Sequence, residues 1–162
     1  MPQAIFVEQQ QFRQSHLWIP LVVLFVVVLG VQLYVIRGRE QVHAAQWAGL
    51  VLSLAVFLSV GLLLYLAKLE VMVEPGVLKF RMYPLQIAFR IIQREEMRSW
   101  EATTVRPLRD HGGWGIRYGR NGAAYLVGGD GAVRILLANA EYLVIGSRRP
   151  EEFAAALGKA GN

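Results

Sequence analysis

The chain has no cysteine, which excludes disulfides, thiolate metal sites, a cysteine nucleophile and lipid attachment through a cysteine side chain. Histidine is scarce: His16, His43 and His111 are the only three, and the first two flank long apolar stretches. His111 directly follows Asp110, and sequence neighbours do not point the same way along a strand. Beside Gly112 and Gly113 the pair reads as a solvated loop, not a catalytic couple. Glu95-Glu96 and Trp100-Glu101 likewise read as turn and strand surface and not as a carboxylate dyad. A phosphate-cradling loop is missing too. Gly113-x-Gly115 would need a further glycine where Tyr118 stands, and no Lys-Ser/Thr pair closes a glycine-rich loop. Turns that need positive φ explain those glycines. Nor is there a run of clustered Arg and Lys interleaved with aromatics of the kind that grips nucleic acid. The expectation is a protein without catalysis, metal or cofactor.

The most consequential absence is local. Residues 17–36 and 47–67 contain no acid, base or histidine. At about 1.5 Å of rise per residue each stretch would form a helix roughly 30 Å long, the thickness of a bilayer's hydrocarbon core. The 37–46 link is too short to hold a domain, so the pair forms a helical hairpin. Trp18 and Tyr34 mark the ends of the first stretch, and Trp47 and Tyr65 those of the second, as amphipathic rings do at headgroup depth. Arg37, Arg39 and Glu40 stop the first span; Lys68 and Glu70 stop the second. Core helices of soluble proteins rarely run this long without a polar face, so the membrane reading prevails. A secretory leader is the rival for the first span, with Val42-His43-Ala44 as a small-residue cleavage site. Its apolar core would be longer than the roughly 7–15 residues usual for leaders, and a retained helix is expected. Pro20 sits in the first turn, where proline costs little.

Within the hairpin, Gly49 with Ser53 and Ala55 with Ser59 are small-x-x-x-small pairs that let helices approach closely. Packing of the second span on the first accounts for them. Gln32 is expected to reach the interface, and no charged group stands at mid-membrane as a transport pathway would require. Lys and Arg near the spans favour one sidedness: Arg13, Lys68, Lys79 and Arg81 on the side of the termini, against Arg37 and Arg39 in the link. This expects an integral membrane protein with both termini in the cytoplasm. Residues 1–16, rich in glutamine, read as a frayed tail or an interfacial turn.

Mean hydropathy is +0.35, and most of that excess lies in the hairpin. Residues 68–162 carry 14 of the 17 Lys and Arg and 10 of the 12 Asp and Glu. The interspersed charges give a mildly basic surface suited to anionic headgroups. From Leu69 the apolar period changes from helical to alternating. Strands are expected over 69–74, 77–83, 86–92, 99–106, 114–118, 123–127, 132–137 and 141–145, separated by turns such as Pro75-Gly76 and Gly128-Gly129-Asp130-Gly131. Residues 150–160 read as a helix: Pro150 opens it, Glu151 and Glu152 suit its positive end, and Phe153, Leu157 and Ala160 form one apolar stripe. The fold class is therefore α+β, a transmembrane α-hairpin followed by a small antiparallel β-barrel or sandwich with a C-terminal helix.

The runs Gly112-Gly113-Trp114-Gly115-Ile116-Arg117, Ala123-Ala124-Tyr125, Ala132-Val133-Arg134-Ile135 and Leu143 to Phe153 (LVIGSRRPEEF) resemble the bacterial pleckstrin-homology-like membrane proteins. The resemblance implies a two-helix hairpin before a PH-like barrel of about seven strands, and binding of a peptide, protein or lipid headgroup without chemistry. It also implies a phosphate site at the first hairpin of the barrel, where Lys79-x-Arg81 stands. Read from the residues alone, that pair solubilises an exposed strand face, and the same holds for Arg148-Arg149. The function expected is a membrane-anchored interaction module whose partners are the bilayer, an anionic phospholipid or a membrane protein. The second reading is an accessory subunit of a membrane enzyme or transport complex, assembled through the hairpin.

Overall fold

A computed structural model describes residues 4–12, 15–38, 44–110, 112–119 and 122–161. The chain forms two compact units, with boundaries at Phe12 and Ala67.

One unit is the helix pair, α1 (Ser15–Arg37) and α2 (Ala44–Leu66). Both are apolar all round, and both are long enough to cross a bilayer. Phe25 meets Phe57 edge to face at 5.0 Å between ring centres. Ser53 Oγ donates to Gln32 Oε1 at 3.0 Å, so Gln32 joins the two helices where the sequence reading sent it to the interface. A polar bridge of this kind replaces an unsatisfied group in hydrocarbon. Arg13, Arg39, Glu40, His43 and His111 lie outside the described residues, and so do residues 42–43 of the cleavage-site reading.

The other unit is a β domain with its own core. Its first strand is β1 (Phe6–Gln11), in the segment expected to be a tail. β2 (Lys68–Glu74), β3 (Val77–Tyr83) and β4 (Arg90–Gln93) complete a four-stranded antiparallel sheet in the order β1-β2-β3-β4. β2 and β3 alternate as the sequence did, burying Leu69, Val71, Val73, Leu78, Phe80 and Met82. The third predicted strand shortens to β4, because residues 84–89 leave the sheet.

The second sheet holds β5 (Met97–Thr104), β6 (Gly115–Gly119), β7 (Gly122–Leu126), β8 (Gly131–Leu137) and β9 (Tyr142–Gly146), in the order β5-β8-β9-β7-β6. Its β7–β9 pair is parallel, an exception to the all-antiparallel expectation. A single turn, α3 (Pro107–Asp110), follows β5. The two sheets share a core in which Phe80 meets Tyr125 edge to face at 4.8 Å. The sheets are not closed into a barrel, and among the described residues there are nine strands where about seven were expected. α4 (Pro150–Lys159) buries Phe153, Ala156 and Leu157.

The helix pair is thus an insertion between two adjacent strands. Gln11 lies opposite Lys68 in the β1–β2 ladder, and the Phe12 amide donates to the Ala67 carbonyl at 3.2 Å. Cleavage after Ala44 would remove β1 together with α1.

Candidate functional site

The predicted cations Lys79 and Arg81 lie on the outward face of the first sheet, and each already has an acidic partner. Lys79 Nζ is 2.7 Å from Glu74 Oε2, and Arg81 Nε is 2.5 Å from Glu70 Oε2. Lys68 Nζ reaches the other Glu70 oxygen at 2.6 Å. Burial pushes the Glu70 carboxyl up, but the hydrogen bonds and charges of Lys68 and Arg81 outweigh it and hold the pKa below the ordinary value. The three cations and two carboxylates leave a net charge of +1 on this strip. Arg81 is also committed to the backbone, donating from its terminal nitrogen to the Ile87 carbonyl at 2.9 Å, with its guanidinium 4.3 Å from the Phe89 ring centre. The pair is not an open phosphate cradle.

The Arg148-Arg149 pair serves the fold. The Arg148 amide donates to Glu8 Oε1 at 2.8 Å, and Arg149 pairs with Glu152 and donates to the Val7 carbonyl. Glu8 is a buried carboxylate that Ser147 Oγ reaches at 2.5 Å and Gln10 Nε2 at 3.2 Å. Of the other acidic candidates, Glu95 and Glu96 are exposed in a short 3-10 turn. Glu101 is exposed opposite Arg134, and Trp100 donates to the Ala154 carbonyl at 3.0 Å. Among the described residues no three of His, Cys, Asp and Glu converge as a metal site would need.

The four aromatics expected at the membrane interface lie near the ends of the two helices. Trp18 and Tyr34 stand about 24 Å apart along α1, and Trp47 and Tyr65 about 27 Å apart along α2, from the helical rise alone. Tyr34, Trp47 and Tyr65 are exposed, as a lipid-facing belt would be.

The feature sequence reasoning missed is a cleft of about 550 Å³ on the second sheet. Its basis is one cross-strand row: Glu101, Arg134, Val144, Ala124 and Arg117 lie opposite one another across all five strands. Residues of one such row share a face of the pleat. Arg134 and Arg117 therefore bracket a small apolar floor, with Gly122 and Tyr142 in the neighbouring row and Asp110 from α3 at the edge. Three strand spacings separate the two arginines, about 14 Å at the backbone. Arg134 meets Glu101 only at 3.5 Å, with both side chains well exposed, and Arg117 forms no ion pair among the described residues. Two weakly committed guanidiniums over a smooth floor can take anionic oxygens in paired hydrogen bonds. No sequence signal exposed this, since the two arginines come together only through strand order.

Comparison with protein families, with characterised proteins and with solved structures finds no match to this chain.

Proposed function

We propose that the chain is a membrane-anchored, non-catalytic interaction module whose second sheet recognises an anionic segment of a partner at the cytoplasmic face of a bacterial membrane. The Arg134–Arg117 row over its small-residue floor carries this reading. The two apolar helices support the anchor, and tethering raises the module's effective concentration at the membrane, so that modest contacts suffice. The resemblance to PH-like membrane proteins points the same way. The terminal helix agrees with the architecture it implies, whereas two sheets not closed into a barrel, nine strands among the described residues and an inserted hairpin depart from it.

The test is purification of the full-length protein from native membranes in mild detergent, with co-purifying protein and lipid identified together. Arg117→Glu with Arg134→Glu is expected to reduce the retained partner by about tenfold or more, because each hydrogen bond to a charged group contributes about 1.5–3 kcal/mol. Undiminished recovery would overturn the reading. A membrane enzyme or carrier retained despite both substitutions would favour assembly through the hairpin.

Sidedness follows the Lys and Arg balance, with the β domain inside. Because β1 and β2 pair along their length, both ends of the helix pair return to one domain. Protease added outside intact cells is expected to leave the β domain whole, and its digestion would reverse the assignment.

A further inference from the structure

We propose that residues 84–89, between β3 and β4, form a third membrane contact, an apolar loop that dips into the interfacial layer of the bilayer. The inference rests on the reading of α1 and α2 as membrane spans. Gln11, Lys68 and Tyr83 lie opposite one another in a single row across β1, β2 and β3. From that row β1 runs out through Phe12 towards α1, and β2 is entered from Ala67, one residue after α2 ends at Leu66. β3 leaves at the same end, through Tyr83, straight into the loop. Ala67 alone links α2 to β2, so chain connectivity keeps this sheet end within reach of the headgroup layer in which the span ends.

The loop carries apolar side chains at that end. Leu85 is 59 % and Ile87 77 % exposed, and among the described residues no large aliphatic side chain of the β domain is more exposed than Ile87. The loop is also fastened. Its Gln86 amide donates to the Met82 carbonyl at 2.7 Å, and Arg81 holds the Ile87 carbonyl at 2.9 Å. The Gln86 side chain reaches the Tyr125 hydroxyl at 3.4 Å. These bonds fix the backbone while Leu85 and Ile87 turn outward. Around them stand Tyr83 and Phe89, over which the Arg81 guanidinium lies, with Lys68 beside Tyr83. Rings and long cationic side chains around an apolar tip suit the boundary between headgroups and acyl chains. Lys68 and Arg81 are already paired with Glu70, so insertion of the apolar tip, and not charge attraction, makes the contact. It is accordingly insensitive to salt.

The absence of cysteine makes the test direct. Full-length proteins bearing Ile87→Cys, Glu95→Cys or Leu58→Cys are labelled with a polarity-sensitive dye and reconstituted in phosphatidylcholine–phosphatidylglycerol vesicles. Glu95 is exposed at the opposite sheet end, where the Arg94 amide donates to the Gly76 carbonyl, and Leu58 lies within α2. Iodide is expected to quench the Ile87 label several-fold less than the Glu95 label, while a shallow lipid-borne quencher reaches Ile87 and not Glu95. Iodide reaching both labels equally would overturn the proposal. So would an Ile87 label shielded from iodide yet untouched by the lipid quencher, which would mean a protein partner or a second copy covers the loop. If a deep lipid quencher fails to reach Leu58, the spanning reading itself falls and the loop contact with it. If it reaches Leu58 while the shallow quencher misses Ile87, only the loop contact falls.

Discussion

Replacing Phe153 by alanine is expected to destabilise the β domain by about 3–5 kcal/mol, the range for deleting a buried aromatic ring. Phe153 is fully buried on α4, and its ring stacks on Phe6 of β1 at 5.2 Å with the planes 5° from parallel. The Arg149 guanidinium lies 5.0 Å from the Phe6 ring centre. An edge strand has a ladder on one side only and depends on its side-chain contacts for the rest of its stability. Loss of the Phe153 ring therefore loosens β1 before it loosens the interior strand β3. Denaturant unfolding of the full chain in detergent checks the first effect. Amide exchange checks the second: the 6–11 amides should lose protection ahead of those in β3. If both strands open together, α4 is not what seats β1. The functional weight of this contact lies in connectivity, because β1 leads directly into α1.

How much of this was legible follows from where each signal sits. Both long apolar helices were readable from uninterrupted apolar runs, each long enough to cross a bilayer. β2, β3 and α4 were readable because local periodicity matches burial, with Leu69, Val71 and Val73 inside and Phe153 and Leu157 on one helix face. β1 was hidden for a physical reason. Its inward set is Phe6, Glu8 and Gln10, and two polar residues at core positions erase the apolar alternation. Their burial is tolerated only because Ser147, the Arg148 amide and the Gly146 carbonyl supply partners more than a hundred residues away. The same limit hid the candidate cleft. Arg117 and Arg134 are unremarkable in sequence, and only the β8-β9-β7-β6 order sets them on one face. For Lys79 and Arg81 the resemblance implied a phosphate site while the residues themselves read as solubilising, and only the β2–β3 register shows Glu70 opposite Arg81 and Glu74 within reach of Lys79.

Gly122→Ala is expected to destabilise the β domain by about 2–6 kcal/mol, combining roughly 1–3 kcal/mol of backbone strain with roughly 1–3 kcal/mol of overpacking. Gly122 has φ +136°, where L side chains are strained, and a Cβ there would run into the backbone carbonyl of Tyr142. Gly122 lies opposite Tyr142 in the parallel β7–β9 ladder, so the obstacle is main chain in a central strand and cannot rotate away. Gly76 is the control. It too has a positive φ, +77°, but an added Cβ meets nothing within 4 Å, so Gly76→Ala should cost only the strain of its turn, about 1 kcal/mol. Urea midpoints of the two full-length variants make the comparison. Equal losses would mean that β7 does not pair with β9 in this register. The larger loss at Gly122 carries a functional consequence, because that residue also lines the cleft beside Arg117 and Tyr142. A methyl group there pushes β9 from β7 and disturbs the spacing of the two arginines. Partner recovery by the surviving folded fraction should therefore fall for Gly122→Ala and remain intact for Gly76→Ala.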